Sequence, residues 1–248
     1  MILHAAARGP ESGVPLVLLH GLFGRAANFG AVMSRLAVRR RVLALDLRNH
    51  GSSPHSPVVD YPTMAADVAE TLVRLDALPC RLVGHSMGGK VAMTLALTDP
   101  AAVERLIVAD VAPQSYPPHF RVFTAAMQRM PRDATRATAE AFLATDIPEA
   151  RVRSFLLQNF RPGVGWTVGL EEIAAALPAI ESWPDLPGTY DGPTLFLHGT
   201  GSDYVIDAAW SRIRAYFPCA TGKALQTGHW VHAEDPDGFV AAVDGFVA

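Results

Sequence analysis

"LVGHSMGGKVAM", residues 82–93, decides the fold. It sets Gly84, Ser86 and Gly88 in the spacing G-x-S-x-G, between an apolar run and a stretch of helical character. A serine at the tip of so sharp a turn has a strained backbone, and side chains two residues before and after it would collide, so glycine is needed at both places. Such a turn lifts the hydroxyl clear of the sheet. The stretch therefore predicts a nucleophile, Ser86.

Short apolar runs alternate with helix-length amphipathic stretches along the rest of the chain. The predicted strands cover 14–21, 40–46, 80–86, 105–110, 193–199 and 222–227. The predicted helices cover 26–37, 62–77, 87–98, 207–216 and 236–247. Because the runs are apolar throughout, they indicate strands covered on both faces, as in a parallel sheet. The pattern predicts an α/β protein with a mostly parallel central sheet flanked by helices.

One connection, after the strand that ends at Asp110, is too long for a simple crossover. Its four stretches of helical periodicity are separated by Pro117, Pro131, Pro148, Pro162 and Pro178. We expect a helical cap (lid) over residues 113–192, inserted into a core formed by 1–112 and 193–248. Phe123, Phe142, Phe155 and Trp166 are expected to pack between cap helices and not against a ligand.

A serine hydroxyl needs a base to take its proton, and His229 is the best candidate among nine histidines. It follows the last strand-like run and precedes a helix capped by Asp235, which gives the chain order serine, acid, histidine. His232 completes an H-x-x-H pair, but no third metal ligand is evident, so no metal site is expected. We expect His20, His85 and His198 to be hydrogen-bonded structural residues at strand ends, and His4, His50, His55 and His119 to lie on the surface.

The stretch "LLHGLFGRAANF", residues 18–29, predicts an oxyanion hole. Its HG-x-x-G turn leaves backbone N–H groups unpaired, and the oxyanion of a tetrahedral intermediate needs two such donors in fixed positions. We assign them to the amides of Leu22 and Met87, with Phe23 as the alternative to Leu22.

Two aspartates compete for the role of the acid that orients the histidine. In "LFLHGTGSDYV", residues 195–205, Asp203 comes one residue later than the spacing G-x-x-D counted from Gly199, and Ser202 stands in the acid's place. Asp110 ends the strand expected beside the one that carries Ser86, and neighbouring strands lie only about 4.8 Å apart. Asp110 can therefore approach the same histidine from beside the nucleophile.

Composition excludes several classes of function. The 248 residues are 50% hydrophobic and carry a net charge of -3 with no long charged run, so neither nucleic acid nor an anionic membrane surface is an expected partner. No apolar run reaches about 18 residues. Cys80 and Cys219 lie far apart in sequence, outside any metal-binding spacing, which favours reduced thiols and a cytoplasmic location. Nothing in the sequence indicates an oligomeric state.

Five motifs together resemble the α/β-hydrolase superfamily and, within it, the small bacterial esterases of the YbfF group. They are "HGLFG" (20–24), "DLRNHGSSPH" (46–55), "GHSMGGKVAM" (84–93), "ADVAP" (109–113) and "GHWVHAEDP" (228–236). Related hydrolases usually have glycine at the position of Asn49. The resemblance implies hydrolysis of carboxylic esters with short to medium acyl chains, or of acyl thioesters, without a cofactor, and it favours Asp110 over Asp203 as the acid. From the residues alone, Asp46, Arg48 and Ser52 predict a hydrogen-bonded turn at a strand end.

These features predict a two-step transfer of an acyl group from a small ester to Ser86 and then to water. The same residues could cleave a thioester or a carbon-carbon bond next to a ketone, since the cap and not the triad selects the substrate. A slow-turnover small-molecule receptor is the alternative from another class. Epoxide hydrolases and dehalogenases of this fold use an aspartate nucleophile, so Ser86 argues against both.

Overall fold

A seven-stranded sheet forms the centre of the computed structural model, which describes residues 1–248. The strands are β1 (Ala5–Arg8), β2 (Leu16–Leu19), β3 (Val42–Leu45), β4 (Cys80–His85), β5 (Val103–Ala109), β6 (Phe160–Arg161), β7 (Gly165–Trp166), β8 (Thr194–Gly199) and β9 (Ala220–Leu225). In the sheet the order is β1-β3-β2-β4-β5-β8-β9, and only β1 runs antiparallel to its neighbour. The remaining two strands, β6 and β7, form a separate hairpin.

Ten helices surround the sheet. They are α1 (Gly30–Leu36), α2 (Tyr61–Arg74), α3 (Met87–Thr98), α4 (Phe120–Arg129), α5 (Arg136–Leu143), α6 (Ala150–Leu156), α7 (Leu170–Glu181), α8 (Trp210–Tyr216), α9 (Val231–Glu234) and α10 (Pro236–Val247). Single turns of 3₁₀ helix at Ala26–Phe29 and Asp207–Ala209 lead into α1 and α8. The mostly parallel α/β architecture predicted from the alternating pattern is confirmed.

All six predicted strands are present, most of them shorter than the apolar runs that indicated them. Strand β1 was not predicted, because the edge strand "AAAR" is only half-buried and shows no apolar run. The hairpin of β6 and β7 was not predicted either, because its two-residue strands are too short to show periodicity.

Four helices and the hairpin lie in residues 113–192, here called the insertion. Pro178 was expected to end its last helix, but α7 continues past it to Glu181. The proline removes only one helical hydrogen bond close to the end of the helix. Leu177 and Ile180 on either side of it are buried, so packing maintains the last turn.

Apolar side chains fill both faces of the sheet. Leu16 and Leu18 of β2 belong to a cluster of 22 buried residues, which also contains side chains of α1 and α10. Val17 and Leu19 belong to a second, larger cluster of 50 buried residues. This larger cluster continues without interruption into the insertion, where it includes Leu143. The insertion therefore shares its hydrophobic core with one face of the sheet.

Candidate active site

Ser86 stands at the turn between β4 and α3, with a φ of 52°. The left-handed region is strained for a serine. A Cβ atom on Gly84 would lie 2.2 Å from the carbonyl oxygen of Gly88, and one on Gly88 would lie 2.4 Å from that of Leu19. Both contacts are impossible, which confirms the steric reason for the two glycines of the motif.

The structure places His229 against Ser86. Its Nε2 lies 3.1 Å from the serine Oγ, and its Nδ1 lies 2.7 Å from Oδ2 of Asp110. His229 sits in the loop between β9 and α9, at the carboxyl edge of the sheet. The three side chains form a continuous hydrogen-bonded chain from carboxylate to hydroxyl.

Asp110 directly follows β5, which pairs with β4 so that Ala109 lies opposite His85. Its side chain is fully buried, and its Oδ1 accepts a hydrogen bond from the amide of Gly199 at 3.0 Å. Ser202, the residue in the acid's usual place, donates its hydroxyl to Oδ2 of Asp110 at 2.5 Å. The end of β8 and the loop that follows it thus supply donors to a carboxylate that follows the neighbouring strand.

Asp203 lies outside this network. Its side chain is exposed and makes no hydrogen bond or ion pair. Of the two candidate acids, the structure brings only Asp110 to the histidine.

Tyr204 is part of the site, although no sequence pattern predicted this. Its ring stacks on that of His229 at 4.2 Å between centroids and 24° between planes, and its hydroxyl lies 3.0 Å from Nε2 of His119. Tyr116 holds the loop by donating its hydroxyl to the carbonyl of Tyr204. Burial raises the pKa of Tyr204 to about 12, so this hydroxyl stays protonated. The only signal in the sequence for a role of Tyr204 was its position directly after Asp203, one of the two candidate acids.

Two backbone amides near Ser86 remain free for an oxyanion. The amide of Leu22 donates to no protein acceptor, and Met87 is the first residue of α3, where helical N–H groups lack partners. The amide of the alternative donor, Phe23, is already engaged, since it donates to Nε2 of His50 at 3.1 Å. His50 is buried and not on the surface as expected. Burial lowers its pKa to about 3, so the neutral ring can accept this bond.

Other buried histidines support the site. Nε2 of His20 accepts the amide of Leu47, and His85 contacts the carbonyl of His229, as expected for structural residues. Burial lowers the pKa of His20 to about 4 and that of His85 well below its ordinary value. His198 forms no side-chain hydrogen bond, contrary to expectation.

His232 is buried beside Phe29 and His85, and its Nδ1 has no partner. Burial lowers its pKa to about 4. No group of three or more histidine, cysteine, aspartate or glutamate side chains is placed to hold a metal ion.

A cavity of about 200 Å³ opens onto Ser86 and His229. Its apolar wall is formed by Phe120, Phe123, Val152, Phe155, Leu156 and Trp230. Phe123 and Phe155 thus face the cavity, contrary to the expectation that they pack only between helices, because α4 and α6 lie directly over the sheet edge. Phe142 and Trp166 do not line it.

Lys90, one turn into α3, connects this helix to the insertion. Its Nζ donates to the carbonyl of Ser182 at 2.6 Å, just beyond the end of α7. Burial lowers the pKa of Lys90 to about 7, partly opposed by the charge of Glu181.

The turn predicted around Asp46 is confirmed. Oδ2 of Asp46 accepts the amide of Ser52 at 2.8 Å, and Nε of Arg48 donates to Asp67 at 2.6 Å. Asn49 has a φ of 64°, a conformation that asparagine tolerates better than most residues, and its side chain donates to the carbonyl of Ser56.

The fold, the turn at Ser86 and the adjacent histidine define an α/β hydrolase. Residues 14–236 match the family model described as alpha/beta hydrolase fold, and the chain belongs to this family. It is an enzyme of the esterase and lipase type.

Among individual proteins, the chain is similar to "sn-1-specific diacylglycerol lipase ABHD11" of Danio rerio, at 42% identity over 253 residues, covering 96% of this chain and 80% of the relative. It is also 35% identical over 241 residues to "Esterase YbfF" of Escherichia coli (strain K12), covering 96% of this chain and 94% of that one. A solved structure, "Marine microorganism esterase", superposes with a TM-score of 0.95 at 32% identity and covers 99% of both chains. The resemblance to the YbfF group is confirmed.

In this chain, helices of sufficient length and apolar character to span a bilayer are lacking.

Proposed function

We propose that this chain hydrolyses small carboxylic esters through Ser86, His229 and Asp110, by way of an acyl-enzyme intermediate. The observation that carries the proposal is the unbroken chain of contacts from Asp110 through His229 to Ser86, at 2.7 Å and 3.1 Å. Relatives named as an esterase and a diacylglycerol lipase support the choice of an ester substrate.

His229 accepts the proton of Ser86 as the hydroxyl oxygen attacks the ester carbonyl, and Asp110 stabilises the imidazolium that forms. The amides of Leu22 and Met87 donate to the oxygen that becomes negative in the tetrahedral intermediate. The protonated His229 then gives its proton to the leaving alcohol. Water, deprotonated by the same histidine, attacks the acyl-enzyme and releases the acid.

The cavity supports short to medium acyl chains as substrates. At about 200 Å³ it is smaller than the ~300–1,000 Å³ typical of sites for drug-sized ligands. Its wall is mainly aromatic and aliphatic, so it gains most from an apolar acyl group.

We also propose that residues 113–192 act as the cap over this cavity. Val152, Phe155 and Leu156 of α6, and Phe120 and Phe123 of α4, supply much of its apolar wall. Substrate size is then set by the insertion, while the chemistry belongs to the core.

The free thiols of Cys80 and Cys219 support a cytoplasmic location, where cysteines stay reduced. Fractionation of cells that produce the protein, with an antibody against the chain, tests this placement.

A panel of p-nitrophenyl esters from acetate to palmitate tests the function. We expect turnover to be highest for chains of about four to eight carbons, because longer chains exceed the cavity. Ser86→Ala should lose almost all turnover, on the order of 10⁶-fold. Ser211→Ala, an exposed serine on α8, is the matched control and should keep full activity.

Labelling by a fluorophosphonate probe should follow the same pattern, present in the control and absent in Ser86→Ala. Acyl-CoA thioesters are included in the panel, and faster turnover of these than of every oxygen ester would identify a thioesterase instead. Wild-type turnover in Ser86→Ala would contradict the proposal.

A further inference from the structure

A second cavity, of about 480 Å³, lies between the core and the insertion. Arg8, Arg25, His4 and Ser52 line it from the core, whereas Arg161 lines it from the β6–β7 hairpin. Neither Ser86 nor His229 is among its lining residues. It is therefore separate from the proposed esterase site, and we call it the arginine cavity.

The three arginines of this cavity lack acidic partners. None of them has a carboxylate within 4.0 Å, whereas elsewhere Arg48 and Arg153 are each paired with one. Arg8 donates only to the hydroxyl of Ser34, and the side chain of Arg161 makes no hydrogen bond to the protein.

The guanidinium of Arg25 also donates no hydrogen bond, although its Nε is buried from solvent. A buried donor without an acceptor costs free energy of about 1–3 kcal/mol in general, and more when the group is charged. Such a group is expected to have a partner that comes from outside the protein.

Asp46, the one acidic residue of the lining, does not neutralise these charges. Its Oδ1 accepts the amide of Ala26 at 2.6 Å, and its Oδ2 accepts the amide of Ser52 at 2.8 Å and faces Nδ1 of His4 at 3.0 Å. The carboxylate is thus fully engaged in holding the turn. With three arginines against one aspartate, the lining keeps an excess of positive charge.

We propose that the arginine cavity binds a small anion through a phosphate or carboxylate group. Guanidinium groups recognise both with paired, charge-assisted hydrogen bonds, and Ser52 and His4 can add polar contacts. Pockets between two parts of a chain are common ligand sites. Since Arg8 and Arg25 belong to the core and Arg161 to the hairpin, the bound anion would connect the insertion to the core.

The cavity also adjoins the turn that supplies the proposed oxyanion amide. Arg25 directly follows Gly24, the last glycine of that turn. Asn159, another lining residue, donates its side-chain amide to the carbonyl of Phe23 at 2.7 Å. An anion held here would therefore restrain both ends of the segment from Phe23 to Arg25.

Thermal unfolding with increasing inorganic phosphate, or with succinate, tests the proposal at an ionic strength held constant with sodium chloride. We expect a saturable rise in Tm with at least one of the two anions, and isothermal titration calorimetry should give one site per chain. A saturable rise with phosphate alone identifies a phosphate ligand, and a saturable rise with succinate alone identifies a carboxylate ligand. If both anions give a saturable rise, the site accepts either group.

Arg25→Gln and Arg161→Gln should each weaken this binding at least tenfold. Arg39→Gln removes the same charge from an exposed arginine outside the cavity and should leave the affinity unchanged. Arg161 is exposed on the hairpin, so its replacement is not expected to disturb folding. Absence of saturable binding by either anion, or equal binding by both cavity variants and the wild type, would overturn the proposal. Neither outcome would bear on ester hydrolysis, which is assayed separately.

Discussion

Asp110 combines full burial with three hydrogen-bonding partners. Its carboxylate meets the amide of Gly199, the hydroxyl of Ser202 and the ring of His229. Hydrogen bonds donated to both oxygens of a carboxylate fix its orientation. The proposed acid is thus held by the end of β8 and the loop after it, even though it belongs to neither.

Replacing Asp110 by asparagine should lower kcat by about 10⁴-fold with the fold intact. The amide cannot stabilise the imidazolium and favours the wrong tautomer of His229. Asp203→Asn is the matched control, because its side chain is exposed and contacts none of these residues. Steady-state kinetics on one p-nitrophenyl ester, with circular dichroism as the folding check, measures both. A large loss in Asp203→Asn and none in Asp110→Asn would reverse the assignment.

At this scale the sequence predicted the residues whose chain position is constrained by chemistry. Ser86 is marked by its glycines and His229 by its order in the chain. The residues alone left Asp110 and Asp203 both open as the acid, and only the resemblance to the YbfF group favoured Asp110. Tyr204 and His50 were missed because nothing local to either residue shows where its ring points. Whether a given aromatic or histidine side chain faces the site depends on how distant loops pack against each other. Loop packing leaves no repeating pattern of apolar residues in the sequence.

Helix α6 illustrates how a single element of the insertion shapes the cavity. Three of its seven residues, Val152, Phe155 and Leu156, face the cavity. An ion pair between Arg151 and Glu234 at 3.0 Å, and the approach of Arg151 to the ring of Trp230, hold it near the loop of His229. Exposed pairs of this kind contribute only about 0–1 kcal/mol, so apolar packing dominates its position.

Phe155→Ala should shift the acyl preference toward longer chains. Room for about two more methylene groups, at ~0.8 kcal/mol each, corresponds to roughly a tenfold increase in the ratio of kcat/KM for octanoate over butyrate. Phe142→Ala, which removes an aromatic ring from the insertion outside the cavity, is the control. An unchanged ratio in Phe155→Ala, or an equal change in the control, would show that α6 does not set chain length.

The sequence predicted the well-buried strands and missed the exposed or very short ones. The parallel strands in the interior are apolar on both faces, so the sequence marks them clearly. The edge strand β1 and the two-residue strands of the hairpin bury little and leave no pattern. Pro178 gave a wrong prediction of the end of α7. A proline shows where a helix loses a backbone hydrogen bond, whereas tertiary packing decides where the helix ends.

The molecule as a whole buries four histidines, His20, His50, His85 and His232. Burial lowers the pKa values of His20, His50 and His232 from 6.5 to about 4, 3 and 4. Between pH 6.5 and 4 the unfolded chain binds protons at these positions and the native chain does not. The free energy of unfolding must therefore fall as the pH falls through this range.

Urea unfolding at pH 7, 6 and 5 should show this loss as a decreasing midpoint. His232 alone can contribute on the order of 3 kcal/mol between its unfolded and folded pKa values. In His232→Gln the dependence on pH should become shallower, whereas His55→Gln, at an exposed position, should follow the wild type. A midpoint independent of pH from 7 to 5 would show that the buried rings protonate without penalty.

The continuous apolar cluster under the insertion has a consequence for protein engineering. Side chains such as Leu143 and Leu156 pack in the same cluster as Val17 and Leu19 of the sheet. Transplanting the corresponding segment from a homologue would place foreign volumes in this cluster and leave voids or clashes. Chimaeras meant to exchange substrate range should therefore carry over the core residues that contact the graft together with it.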